Sequence, residues 1–218
     1  MPSRAKPAPG TGAEAAPARA TETRRPASGG VGNFLAMPIE PDTKDWTWVL
    51  DRPCPECGFE ASAVALDQVG AMVRDNAAAW QAILARSRDE LTARPSDDRW
   101  SALEYACHVR DVLRIYDQRL ALMLTEDHPD FANWDQDHTA VADRYNEQEP
   151  AAVAAAIAEA AGPLADRFDS VSGEQWQRTG NRSDGARFTV DSFARYFIHD
   201  PVHHLVDVEN GFAALRPR

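Results

Sequence analysis

His199 and His203 stand four residues apart in the stretch RYFIHDPVHHLVDV, residues 195–208. On an α-helix this spacing places both rings on one face with Cβ atoms about 5–6 Å apart, close enough to hold one ion. Phe193, Tyr196, Phe197, Val202, Leu205 and Val206 form an apolar stripe around them, so the pair is expected to point partly into a packed bundle. An imidazole buried there needs a partner, because an unsatisfied polar group costs about 1–3 kcal/mol. A metal ion is one such partner and a buried carboxylate is another. His108, in WSALEYACHVRD at 100–111, supplies a third ring in mid-helix. If the two helices are neighbours, His108, His199 and His203 converge. Three imidazoles leave an open position for water or substrate, as catalytic zinc sites do. Neutral ligands also leave both charges on the ion, which favours a bound thiolate or hydroxide. A core histidine paired with Glu104 or Asp111 is the alternative for His108. Glu104, Asp111 and Asp207 each lie one turn from a ligand and could orient it through its second nitrogen.

The three cysteines are too few for a disulfide framework and agree with a reducing compartment. Cys54 and Cys57 form a lone CPEC, for which three readings compete. A zinc knuckle requires four ligands and the chain has no second CxxC, which speaks against it. A redox pair would need a low thiolate pKa, such as a helix amino terminus provides. The third reading is a turn with two ordinary thiols.

Four amphipathic segments must position these groups. Val69, Met72, Val73, Trp80, Ile83 and Leu84 recur at helical spacing within 62–91, and Arg94–Pro95 break that helix. Ser101 and Glu104 have the spacing of a capping box, with Trp100 and Tyr105 as a hydrophobic staple. The second helix then runs through Val109, Leu113, Tyr116, Leu120 and Met123. Residues 127–145 read as a long polar connection. Pro150 suits the start of a third, Ala-rich helix, which Gly162 and Pro163 should kink or divide. Residues 172–188 read as a loop with the turn SDG. Thr189 should cap the fourth helix, which ends near Asn210–Gly211 and carries Pro201 between the two histidines, where the axis should bend. No strand is expected. The pattern is that of an all-α four-helix bundle with a long second-to-third connection.

Residues 1–44 are rich in Pro, Ala, Gly, Ser and Arg, with few bulky apolar groups before Phe34. Such a segment buries too little apolar surface to offset the entropy of ordering, so a disordered tail is expected there, with the bundle domain over 45–218. Trp46 and Trp48 are expected to dock on the body. The 218 residues carry a net charge of −11, which makes nucleic acid an improbable partner. No apolar run is long enough for a membrane span, and the amino terminus lacks the apolar core of a signal peptide. The expectation is a cytoplasmic protein without a membrane partner, its oligomeric state, homodimer included, left open.

WSALEYACHVRD resembles the Trp-Ser-x-x-Glu-x-x-x-His pattern of the DinB-like family, and HDPVHHLVDV, 199–208, resembles that family's carboxy-terminal His-x-x-x-His helix. The likeness runs from about residue 60 to 210. These are metal-binding four-helix bundles that include mycothiol- and bacillithiol-dependent transferases. The resemblance implies His108, His199 and His203 as ligands of a divalent metal, Zn2+ first, with Ni2+ or Fe2+ as alternatives. Pro-Val between the last pair, and His204 beside it, depart from the pattern and leave its register open. The resemblance further implies a metal-dependent thiol S-transferase acting on an electrophilic small molecule. Its thiol would be mycothiol, which suits the Ala- and Arg-rich composition of a high-GC genome. The alternative is a non-catalytic metal-binding or stress-response protein of the same family.

Overall fold

The computed structural model describes residues 44–216. The segment expected to be a disordered tail lies outside the described residues, apart from Lys44. Among the described residues, no helix is long and apolar enough to cross a membrane.

Four long helices form the bundle: α1 (Val69–Leu84), α3 (Ala102–Thr125), α5 (Pro150–Ser170) and α6 (Val190–Leu215). Two short ones, α2 (Arg88–Thr92) and α4 (Gln136–Ala142), lie in the connections. The long helices pack in the order α1–α5–α3–α6 and back to α1. Consecutive long helices α1 and α3 are therefore diagonal, and residues 126–149 carry the chain to the corner between them. Trp80, Leu113, Ile157, Leu164, Phe168 and Phe197 are sealed in the centre. Tyr116 of α3 packs against Phe193 and Phe197 of α6, with ring centroids 4.9 Å apart in both pairs. This contact brings His108 alongside the carboxy-terminal helix.

The expected caps are present. Ser101 Oγ accepts from Glu104 N at 3.3 Å, and the Glu104 carboxylate accepts from Ser101 N at 2.8 Å. Trp100 and Tyr105 make the staple, with centroids 5.5 Å apart. Thr189 caps α6 through Ser192. Both internal prolines are accommodated without ending a helix: Pro163 lies within α5 and Pro201 within α6. The Pro201 carbonyl accepts from Asn76 Nδ2 of α1 at 2.7 Å, which ties that turn to the bundle.

The two segments read as plain connections meet in a small sheet. β1 (Asp130–Phe131) pairs in parallel with β2 (Thr179–Arg182), and β2 forms a hairpin with β3 (Arg187–Thr189) across the SDG turn. Gly180 lies so close to Met123 and Phe131 that a Cβ would come within 2.8 Å of each. Strands of two to four residues are too short to show a period of two, which is why the pattern reveals none.

Candidate metal centre

The structure divides the three expected histidines between two clusters on adjacent faces of α6. His108 gathers with Asp200 and His204, while His199 and His203 gather with Cys54 and Cys57. The reason is angular. Each residue turns a helix by about 100°, so the 200/204 stripe and the 199/203 stripe face different neighbours. α3 packs on the first stripe, and the segment before α1 packs on the second. The structure therefore does not bring His108, His199 and His203 together in one group; beside His108 stand Asp200, which the sequence reading did not name, and His204, which it named only as leaving the register open. His204 adjoining the pair is the signal that could have raised them.

In the first cluster, His108 Nε2 lies 3.3 Å from Asp200 Oδ1, and His204 Nε2 lies 3.8 Å from the same oxygen. The two rings meet edge-on with centroids 4.8 Å apart. Asp200 Oδ1 is sealed and has no hydrogen-bond partner. Burial would raise the Asp200 pKa, but the imidazoles of His108 and His204 hold it at about 2, so the group is a carboxylate at neutral pH. His204 Nδ1 donates to Asp207 Oδ2 at 2.9 Å, which leaves Nε2 turned toward the cluster. Trp134 stacks on His108 at 5.3 Å with its plane tilted by 12°.

Of the three carboxylates expected behind the ligands, Asp207 alone touches one. Glu104 is taken by Arg94, whose Nε donates to it at 2.9 Å, and by the cap of α3. Asp111 is held by Arg110 and accepts from the Tyr145 hydroxyl at 2.7 Å. His108 Nδ1 is a buried nitrogen without a hydrogen-bond partner.

Asp200, His204, His199 and His203 line a cavity of about 890 Å3. Its wall also includes Trp46 and Trp134, with Arg119, Arg182 and Arg187 as cationic groups. Arg182 is fixed by Asp184 at 2.9 Å and donates to the Tyr196 hydroxyl at 3.1 Å. Arg119 is buried and donates to the Ala132 carbonyl at 2.7 Å.

The second cluster joins α6 to a tight turn. Cys54 N donates to the Phe59 carbonyl, Gly58 N donates to the Cys54 carbonyl, both at 2.8 Å, and Gly58 takes a left-handed φ of 73°. Cys54, His199 and His203 are buried and Cys57 partly so. Trp46 packs against both rings, 5.7 Å from His199 and 5.5 Å from His203, and Phe59 lies 5.2 Å from His199. Trp46 thus docks on the body as expected. Burial pushes the Cys57 thiol up to about 11, opposite to what a redox nucleophile requires. Burial lowers the His199 pKa to about 4, with repulsion from His203 adding to it, so the ring is neutral.

In comparison with known proteins, no curated protein matches the sequence. Among solved structures, the chain is similar to YfiT from Bacillus subtilis, described as a probable metal-dependent hydrolase with an unusual four-helix bundle topology. The TM-score is 0.53 at 16% identity, covering 79% of this chain and 92% of that one, a likeness of fold. The model of the DinB superfamily matches residues 71–207, which takes in α3 with its capped Trp-Ser start and α6 as far as Asp207. With well over half of its length so matched, the chain belongs to the DinB superfamily.

Proposed function

We propose that this protein is a divalent-metal-dependent enzyme that transfers a small thiol, mycothiol by the family resemblance, to an electrophilic small molecule. The observation that carries the reading is the His108–Asp200–His204 cluster opening on the cavity, with a buried carboxylate oxygen that has no hydrogen-bond partner. An orphaned acceptor beside two imidazole nitrogens fits a cation, and Zn2+, Ni2+ and Fe2+ all accept this donor set. Two neutral rings and one carboxylate would leave one positive charge on the ion, which supplies Lewis acidity and lowers the pKa of a thiol or water brought to it.

The chain's own residues prepare the site. Asp207 fixes the His204 tautomer and aim, and such outer carboxylates raise the basicity of a ligand ring. Trp134 covers His108 and limits access of water from that side. Arg119, Arg182 and Arg187 offer charge to polar or anionic parts of a bound molecule, and Trp46 and Phe188 offer apolar wall. A volume of about 890 Å3 is at the upper end for a small-molecule site and suits two substrates together. No protein thiol competes as nucleophile at this site. Cys107 is buried, hydrogen-bonded to the Tyr145 carbonyl at 3.7 Å, and its pKa is pushed up to about 12 by burial.

A second reading is hydrolysis. It is favoured by the carboxylate among the donors, since two histidines with a carboxylate recur in hydrolytic zinc sites, and by the description of the Bacillus subtilis neighbour. One experiment separates the readings. The metal-loaded full chain is incubated with mycothiol and an activated aryl halide, and separately with simple esters and amides without thiol. Thiol consumption that falls at least ~100-fold in His108→Ala and His204→Ala, and persists in His128→Ala and His138→Ala, supports transfer. Ester or amide cleavage without thiol use supports hydrolysis. Neither activity in a metal-loaded protein leaves the non-catalytic reading.

A further inference from the structure

We propose that Cys54, Cys57, His199 and His203 form a second, structural metal site, a closed tetrahedral Zn2+ centre that clips the segment before the bundle onto α6. The four side chains each present a ligand atom within 4.8 Å of all the others. Zinc bonds of about 2.3 Å to sulfur and 2.0–2.1 Å to nitrogen, at tetrahedral angles, place sulfur and nitrogen about 3.6 Å apart. The Cys54 Sγ to His203 Nδ1 distance is 3.6 Å. The spacing also fits: two cysteines with two residues between them and two histidines with three between them form a familiar structural zinc set. No second CxxC is needed, because the missing ligands come from α6.

The surroundings favour an ion that does no chemistry. Two thiolates balance the two charges of the ion, so the assembled group is neutral and tolerates the dry walls formed by Trp46 and Phe59. His199 Nε2 is a sealed nitrogen with no hydrogen-bond partner. His203 Nε2 faces Asp207 at 3.4 Å and Glu56 at 3.5 Å, which turns its Nδ1 toward the sulfur. Four protein ligands leave no open coordination position. The role left is mechanical: the clip holds Trp46, part of the cavity wall, against α6. The cysteine turn lies outside residues 71–207, so the family match does not account for it.

The cavity cluster contains no sulfur, so a sulfur signature reports this site alone. The full chain, produced in cobalt-supplemented medium, is expected to show an intense thiolate-to-cobalt charge-transfer band in the near ultraviolet. His108→Ala with His204→Ala should keep that band, and Cys54→Ser with Cys57→Ser should abolish it and lower cobalt content by one ion per chain. Should the cysteine variant not fold, zinc-edge X-ray absorption of the unaltered protein decides, with sulfur scatterers at about 2.3 Å expected. A shell of nitrogen and oxygen only, or Cys54 and Cys57 recovered as a disulfide without metal, overturns the proposal.

Discussion

Asp207 touches imidazoles of both clusters: His204 Nδ1 at 2.9 Å on the cavity side and His203 Nε2 at 3.4 Å on the cysteine side. Its carboxyl is partly buried, which would raise its pKa, but the two rings and Arg99 hold it below the usual carboxylate range. It is therefore an ionised acceptor for both. Asp207→Asn is expected to weaken divalent-metal binding at the cavity cluster by about 10–100-fold, with the fold retained. Competition titration against a chromophoric chelator measures it, with circular dichroism as the control. At this scale the sequence was half legible. The helical pairing and His108 could be read from spacing, because a period of 3.6 fixes which residues share a face. Which face meets which neighbour is decided by packing, and here one step of about 100° exchanges His199 and His203 for Asp200 and His204. A carboxylate in the cluster is not evident from the sequence, since Asp200 beside Pro201 reads as an ordinary polar residue.

Glu104 shows how an element is fixed in place. It closes the capping box of α3 and receives the Arg94 guanidinium in a largely buried pair, with side chains 5% and 23% exposed. Burial raises its pKa, but the bonds from Arg94 and Ser101 outweigh it and the net shift is downward. A depressed carboxylate stabilises the fold above its unfolded value, near 4.5, and loses that contribution as pH falls through the lower folded value. Glu104→Gln is expected to cost about 2–3 kcal/mol at neutral pH and to flatten the loss of stability on acidification. Urea denaturation at several pH values checks both effects. Gly70 of α1 tests the α1–α5 approach: a Cβ there would lie 2.7 Å from the Ala165 carbonyl oxygen, a backbone atom that cannot turn aside. Gly70→Ala should lower stability by about 1–3 kcal/mol in the same assay. The cap and staple of α3 were legible because they are local. Arg94 as partner was not, since it arrives from the break that ends the preceding helix. Of the two outcomes expected at Gly162 and Pro163, a kink or a division, the division does not occur: packing of Leu164, Ala165 and Phe168 into the core carries α5 through.

Across the whole molecule, the order α1–α5–α3–α6 sets α6 beside both α1 and α3, and this one helix carries residues of both clusters. Four amphipathic stripes make the bundle legible, but their cyclic order is not, because every stripe is equally able to pack on any other. The contact between Cys54 and His203 spans 149 residues, nearly the full described chain. A zinc tie at that contact, as proposed above, would act mainly where no structure exists. By loop-closure entropy, tying two points so far apart restricts the unfolded chain by up to ~5 kcal/mol, whatever the packing of the folded bundle. For a chain of this size, that corresponds to a fall in Tm of roughly 10–20 °C when the tie is removed. With the cavity cluster first removed by His108→Ala and His204→Ala, chelator added during a thermal scan should therefore lower the melting temperature steeply, and hardly at all once Cys54→Ser and Cys57→Ser are added. A joint that in the folded protein only seats a tryptophan would, in the unfolded one, turn an open chain into a ring.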